Sequence, residues 1–267
     1  MTTLGPVGLA SGYPYTDDAT VVADEARHAE RLGFSTLWRS GNLPMLEAAV
    51  RATTSIPVAT GIIPVSTVPA ADVIATYQAL EREQPGRFIV GLGGAHDARP
   101  LATMSNYLDE LDAAGVPAGS RVLAALGPKM LELARDRASG AYPYLVTPSY
   151  VSDARAVLGD ERSLAVLLMV IPTTDRKAAR AAAAKPLDFL AKVGGYRRNL
   201  LRQGFSEPDI DNVSDRLLDA ITAWGELDRI ADRIAEFWAA GADQVVLRVL
   251  DGDLPGWRER LAHKLIA

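Results

Sequence analysis

Residues Pro69 to Leu92 read PAADVIATYQALEREQPGRFIVGL, and the pattern within them decides the fold. A proline at the first turn opens a helical pattern that runs to Glu83, Gly86 stands past its last turn, and the short apolar run Phe88–Leu92 follows. A helix that delivers the chain into an apolar strand is half of a crossover unit, the element from which parallel sheets are built. Moving outward, the same unit recurs. Asp17 and Asp18 precede a helix through Leu32, with Val22, Ala26 and Ala29 on one face and Gly33 ending it. Pro128 opens a helix reaching Arg137 and Ser149 one reaching Leu158, with Gly140 and Gly159 past their last turns.

Eight strand-like runs can be placed: Val7–Ala10, Thr36–Arg39, Pro57–Ile62, Phe88–Leu92, Val122–Leu126, Tyr144–Thr147, Leu164–Ile171 and Gln244–Leu250. A last helix follows from Pro255 to Leu265. Eight such units close on themselves more naturally than they extend an open sheet. The expectation is an α/β chain with one domain over 1–267, a (β/α)8 TIM barrel carrying an enlarged helical insertion between strands seven and eight. That insertion, Asp175 to Gly241, is too long for one crossover helix. It holds an Ala-rich helix around Arg180–Ala184, a Gly194-Gly195-Tyr196 segment, an acidic turn at Ser206–Asp211 and a helix at Leu227–Ala240. It suits a cover over the barrel mouth, a dimer contact or plain surface.

Length and composition agree with this reading. The chain has 267 residues, and a barrel of this kind takes about 250. Charged residues make up 23% with a formal net charge of -5, and no stretch concentrates Lys and Arg, so a nucleic-acid partner lacks its electrostatic footprint. There is no cysteine, which removes disulfides, thiolate metal sites and a Cys nucleophile together. Met1 to Ala10 show no basic region before an apolar core, and no run reaches the length of a membrane span. The expectation is a cytoplasmic enzyme acting on a small molecule, with no nucleic-acid or membrane partner.

In a barrel of this type ligands bind where the strands end, so the residues just past each strand carry the chemistry. These are Trp38-Arg39-Ser40-Gly41-Asn42, Gly61-Ile62-Ile63-Pro64, Gly91-Leu92-Gly93-Gly94-Ala95-His96, Gly127-Pro128-Lys129 and Thr147-Pro148-Ser149-Tyr150. Glycine lets a flat ligand or a phosphate approach the backbone. Gly127-Pro128 and Thr147-Pro148-Ser149 open adjacent helices whose free N–H groups could clamp one phosphate; ordinary capping is the alternative. His96 reads either as a proton donor or as a loop histidine satisfied by backbone. Trp38 walls a flat ring or fills the core. Arg39 and Arg248 are charges beside apolar strands and need an anionic partner, a phosphate or an acid such as Asp243 or Asp251. No His pair has metal-ligand spacing, Gly91-Leu92-Gly93 lacks the rest of a dinucleotide fingerprint, and no Gly-x-Ser-x-Gly elbow occurs.

Gly33-Phe34-Ser35-Thr36-Leu37-Trp38, Ala59-Thr60-Gly61-Ile62, Pro85-Gly86-Arg87-Phe88-Ile89-Val90-Gly91-Leu92-Gly93, Ala124-Ala125-Leu126-Gly127-Pro128-Lys129-Met130 and Ala239-Ala240-Gly241-Ala242-Asp243-Gln244-Val245-Val246 together resemble the luciferase-like monooxygenase superfamily. The Gly-Pro-Lys-Met block looks most like its actinobacterial F420-dependent branch. The resemblance implies a barrel binding F420, or alternatively FMN, at the strand C-termini, with a late insertion and often a homodimer. It places a bulge with a non-prolyl cis peptide at Gly61-Ile62 behind the deazaflavin ring, and the cofactor phosphate at Gly127, Pro128, Thr147 and Ser149. Gly93, Trp38 and Arg248 join the cofactor side, and Ser40, Asn42 and His96 the catalytic and substrate side. The chain has Gly41-Asn42 where many relatives carry an acid followed by His, and Gly94 where some dehydrogenases carry Glu. A positioned acid or base is worth about 10²- to 10⁴-fold in rate. The pattern therefore implies a reductase of an activated C=C or C=N bond rather than an alcohol dehydrogenase. A two-component FMN monooxygenase and a catalytically silent flavin-binding barrel are the other readings.

Overall fold

The computed structural model describes residues 4–12, 15–95, 97–250 and 254–266. Strands β1 (Val7–Ala10), β2 (Thr36–Arg39), β3 (Val58–Thr60), β5 (Phe88–Gly93), β6 (Arg121–Leu123), β7 (Gly140–Ala141), β8 (Ser163–Ile171) and β10 (Gln244–Val249) pair in parallel in that order. β10 then pairs with β1 through Val245 and Val7, which closes the cylinder. β4 (Ile63–Pro64) continues the third stave beyond Gly61 and Ile62 and pairs with β5. The Gly61–Ile62 peptide bond is cis. The expected (β/α)8 barrel is the barrel found.

Alternation along each strand separates two sets of side chains. Trp38, Ala59, Ile89, Val122, Tyr142, Leu167, Met169 and Val246 form one buried cluster that continues up into the insertion. Leu9, Leu37, Val58, Val90, Leu123, Leu168 and Leu247 pack with the surrounding helices. Those helices start where the caps dictate. Asp18 caps α1 (Ala19–Arg31) through the N–H groups of Thr20 and Val21, and Asn42 caps α2 (Leu43–Ala52) through Met45 N–H. α3 (Ala70–Glu83) and α4 (Pro100–Ala113) precede β5 and β6, while α5 (Pro128–Arg137) and α6 (Pro148–Leu158) precede β7 and β8.

The insertion between the seventh and eighth staves comprises α7 (Arg176–Leu190), α8 (Gly194–Arg202), α9 (Glu207–Asp211), α10 (Asp215–Ile221), β9 (Thr222–Trp224) and α11 (Leu227–Ala239), and α12 (Leu254–Leu265) closes the chain. The acidic turn at Ser206–Asp211 is the start of α9, where Ser206 and Asp209 satisfy each other's backbone N–H in a capping box. β9 pairs in parallel with the far end of β8, Met169 to Thr222 through Ile171 to Trp224.

Three strand expectations are corrected. The sixth stave is Gly140–Ala141, not Tyr144–Thr147. Gly140 is no helix cap: a Cβ there would stand 1.9 Å from the carbonyl oxygen of Ser163, so only glycine lets β7 lie against β8. Tyr144 contributes one isolated bridge to Leu167, after which Leu145, at φ 58, turns the chain out of the extended region. The fifth stave ends at Leu123 rather than Leu126, and the third is interrupted after Thr60 and resumes as β4 at Ile63–Pro64.

Arg39 finds its anion within the fold. Glu25 of α1 takes Arg39 on one oxygen and Arg258 of α12 on the other, the latter at 2.7 Å. Burial pushes the Glu25 carboxyl up, but the two guanidinium groups and the Gly12 N–H outweigh it and hold it below its ordinary range. Asp243 instead pairs with Arg155 of α6.

Candidate functional site

The floor of the barrel mouth is an aromatic stack. Trp38, 1% exposed, donates its indole N–H to Gln244 Oε1 at 2.8 Å, and Gly8 leaves room for that pair. Tyr142, just past β7, stacks on Trp38 with ring centroids 3.9 Å apart and planes 6° from parallel. Its ring also covers one face of Gly61: a Cβ there would lie 3.0 Å from Tyr142 Cε1. Trp38 is thus already stacked within the fold, and Tyr142 closes that face of the bulge.

Above this floor stand Tyr144, Tyr196 from α8 and Arg248 from β10. Tyr144 and Tyr196 meet edge to face, with centroids 6.4 Å apart, and Arg248 lies over the Tyr15 ring at 6.0 Å. Burial raises the phenols of Tyr142, Tyr144 and Tyr196, the last to about 12, although Arg248 pulls each part of the way back. All three are protonated donors at neutral pH. The Tyr144 hydroxyl is buried and has no hydrogen-bond partner among the described residues.

The second half of the site is the pair of helix starts. Gly127 is the N-cap of α5, and no side chain caps it; Thr147 is the N-cap of α6 and accepts Tyr150 N–H. Tyr150 holds the two starts together, because its hydroxyl sits 3.1 Å from the carbonyl oxygens of both Ala125 and Leu126. Pro128 and Pro148 occupy the first helical positions, and Ser149 is exposed beside them. Arg202, at the end of α8, donates to Asn199 Oδ1 at 3.0 Å and reaches the Leu126 carbonyl at 3.4 Å. Two helix N-termini with a guanidinium beside them favour an anion.

The other residues singled out in the sequence are placed as follows. Asn42 is exposed, caps α2 and donates to Asp17 at 2.7 Å. Ser40 lies half-buried on the same turn. Gly41 packs against the bulge, where a Cβ would lie 2.7 Å from Ile62 O. That contact explains why an acid does not stand there. Gly91 and Gly93 serve strand packing, since a Cβ would meet Thr60 O at 1.9 Å and Ala124 Cβ at 2.9 Å, respectively. Ile62 packs its side chain over Gly93. His96 lies outside the described residues. The structure therefore brings Trp38 and Gly61 together through Tyr142, and Gly127, Pro128, Thr147 and Ser149 together through Tyr150, and leaves Asn42 on the outer rim.

An open cavity of about 750 Å³ lies elsewhere on the same rim, lined by Pro172, Thr173, Gly225, Glu226, Trp257 and Arg260 among others. None of the residues expected from the sequence lines it. Sequence reasoning also missed Tyr142, Asn199, Arg202 and Gln203. For Tyr142 a signal existed, an aromatic directly after a Gly-Ala pair; for Arg202 and Gln203, at the end of α8, the contact spans more than fifty positions, and no local pattern announces it. Among the described residues, no group of three or more His, Asp or Glu could hold a metal ion, and no helix is long and apolar enough to cross a membrane.

No protein-family model matches the chain, and no curated protein matches it in sequence. Solved structures do match. An F420-dependent secondary alcohol dehydrogenase, in complex with an F420–acetone adduct, is 15% identical with a TM-score of 0.72, covering 98% of both chains. The coenzyme F420 dependent tetrahydromethanopterin reductase of Methanopyrus kandleri is 18% identical with a TM-score of 0.71, covering 98% of this chain and 99% of its own. The oxygenating constituent of 3,6-diketocamphane monooxygenase from Pseudomonas putida, in complex with FMN, is 14% identical with a TM-score of 0.69, covering 97% of this chain and 96% of its own. Identities this low establish a shared fold along the whole chain and leave cofactor and reaction to be argued from the residues.

Proposed function

We propose that this protein is an F420-dependent oxidoreductase, acting as a reductase that passes a hydride from the deazaflavin to a small organic acceptor. The observation that carries the reading is the joined pair of helix starts at Gly127 and Thr147, with Arg202 beside them, on the rim of a barrel shared with F420 enzymes. The donor set there fits a phosphate: an N-cap with no side chain of its own, an exposed hydroxyl at Ser149 and a cation. FMN also carries a phosphate, so this half of the site supports either cofactor. The Gly-Pro-Lys-Met block, which resembles the F420 branch, and the two F420-binding structural neighbours favour F420.

In this reading Gly127, Pro128, Thr147 and Ser149 hold the phosphate, and the bulge at Gly61 and Ile62, with Gly93 and the Trp38–Tyr142 stack, supports the ring from the barrel side. Arg248 balances charge at the ring's edge. Ser40, half-buried on the turn after β2, borders the substrate. When bound, the deazaflavin supplies the hydride, and the protein supplies orientation and electrostatics. The neutral phenols over the mouth exclude water from the stack and can donate hydrogen bonds to an acceptor. No carboxylate stands at Gly41 or Gly94, as the reduction of an activated double bond tolerates.

Fluorescence titration with F420 and FMN tests the cofactor, and turnover of reduced F420 with enones, imines and nitroarenes tests the reaction. Tight FMN binding without F420 binding would replace this reading with that of a flavin monooxygenase. Binding of F420 without turnover of any acceptor class would leave a silent cofactor-binding barrel. The oligomeric state expected from the resemblance, a homodimer, is read by light scattering.

A further inference from the structure

One phenol at the barrel mouth is buried with its hydroxyl unpaired. Tyr144 is 6% exposed, and its hydroxyl meets no hydrogen-bonding group among the described residues. A buried polar group in that state is rare and calls for a partner from outside the chain. The ring faces inward: Tyr144 bridges to Leu167, and both belong to the cluster that holds Trp38 and Tyr142. Arg248 faces the same space, because Val246 packs inward and Leu247 outward, and alternation returns the next residue of β10 to the interior. Burial raises the Tyr144 phenol, and of the groups whose charge acts on it Arg248 comes first, followed by Tyr196 and Tyr15. The neighbouring phenols are already engaged. Tyr15 bonds to Arg248. Tyr142 spends its ring on Trp38, and its hydroxyl lies 3.1 Å from where a Cβ on Gly61 would project. Tyr196, half-buried, meets Tyr144 edge to face and holds its ring in place.

We propose that the Tyr144 hydroxyl donates a hydrogen bond to an oxygen of the acceptor, and that the acceptor is a C=C bond conjugated to a neutral carbonyl or nitro group rather than an imine. The inference rests on the reading above, that the mouth holds the hydride donor, and names the acceptor such a mouth takes. When hydride adds to the carbon far from the carbonyl, the pair of the C=C bond shifts and negative charge gathers on the oxygen. An O–H already in place in a buried site stabilises that charge more than it stabilises the neutral carbonyl. Tyr144 keeps its proton throughout, and the proton that ends on carbon comes from solvent. An imine is reduced as its protonated cation, and a cation beside Arg248 and a set of phenol donors is disfavoured.

The experiment compares the full chain with its Tyr144→Phe variant. The infrared carbonyl stretch of bound 2-cyclohexenone is recorded with and without oxidised F420. Hydrogen bonding lowers it in the parent, and in Tyr144→Phe it returns toward its value in an aprotic solvent. Turnover with reduced F420 is then followed for 2-cyclohexenone, β-nitrostyrene and the imine 2-methyl-1-pyrroline. The parent is expected to favour the two oxygen-bearing acceptors about tenfold or more in kcat/KM, and Tyr144→Phe to lower kcat for them about 10²-fold with KM within about threefold. Since the hydroxyl has no partner to lose, the variant is expected to unfold at the same temperature or higher and to bind F420 as the parent does. A carbonyl stretch equal in the two chains, no binding of the enone in either condition, or faster turnover of the imine overturns the inference and leaves the cofactor reading standing. A lower unfolding temperature in Tyr144→Phe, or weaker F420 binding with an unchanged stretch, gives the hydroxyl to the fold or to the cofactor and overturns it too. The expected shift of the stretch in a chain that does not bind F420 supports the Tyr144 contact and overturns the cofactor reading alone.

Discussion

Tyr142 lies face to face on Trp38, 3.9 Å from centroid to centroid, although one residue follows the sixth stave and the other sits in the second. Together they fill the axis of the barrel just below its mouth, and both are almost wholly buried. Truncating a buried aromatic ring costs about 3–5 kcal/mol through lost transfer energy and the cavity left behind. Tyr142→Ala is therefore expected to lower unfolding free energy by that amount in urea denaturation, and Tyr142→Phe, which keeps the stack, by about 1 kcal/mol or less. A Tyr142→Ala variant as stable as the parent would mean that the stack is not where the barrel stores its packing.

Gly140 and Gly159 separate two reasons for needing glycine. At Gly140 the obstacle is space, since a Cβ would stand 1.9 Å from the backbone oxygen of Ser163. At Gly159 nothing lies within 4 Å of a Cβ, and the obstacle is φ 72. A side chain at φ 72 and ψ 175, a region almost confined to glycine, costs about 1–3 kcal/mol. Forcing two strands apart costs about 3 kcal/mol or more. Gly159→Ala should fold with reduced stability, and Gly140→Ala should be strongly destabilised or insoluble. Equal behaviour of the two would contradict the placement of β7.

The same pair shows where the fold was legible and where it was not. Val7–Ala10 and Thr36–Arg39 read directly, because runs of apolar and β-favouring residues bounded by turn residues have few other interpretations. Gly140–Ala141 has no such signature; its strand character comes from fitting against Ser163 and Leu164. Tyr144–Thr147 carries the signature, but Leu145 breaks it with a left-handed turn. β9 was hidden for a similar reason: three residues between helices become a strand only because the end of β8 stands unpaired beyond β7. At the site, the helix starts at Gly127 and Thr147 were legible because caps are local. Arg202 and Gln203, which reach them, were not, because they arrive from a distant insertion.

Glu30 gives a prediction in acid. Its carboxyl accepts the N–H groups of Thr54, Ser55 and Ile56 and so ties α1 to the segment entering β3. Partial burial pushes the group up, but those three N–H bonds and the Ser55 hydroxyl outweigh it and bring it down to about 2. Its contribution is present above the unfolded carboxylate range near 4.5 and is lost as pH falls from there through about 2. Glu30→Gln should cost about 1–2 kcal/mol at neutral pH, after discounting for solvent screening. The difference between variant and parent should shrink as pH falls toward 2, and a difference that stayed constant with pH would refute the assignment.

Alkali should act through the buried phenols at and below the mouth. Burial raises Tyr142, Tyr144, Tyr150 and Tyr196 above their ordinary value, with Arg248 opposing the shift at three of them and Arg202 at Tyr150. A raised phenol means that the fold binds the neutral form and excludes the phenolate. The stability this provides is complete below about pH 10, where unfolded tyrosine ionises, and drains away as pH climbs toward 12. Between about pH 10 and 11 each such group removes roughly 1 kcal/mol, so four remove about 4 kcal/mol, a large share of the 5–15 kcal/mol typical of a whole domain. Phenolate absorbance of these tyrosines should thus rise together with loss of far-UV circular dichroism, in one cooperative transition. Should they ionise near pH 10 while the dichroism holds, the tyrosines lie open to solvent and are not buried as described.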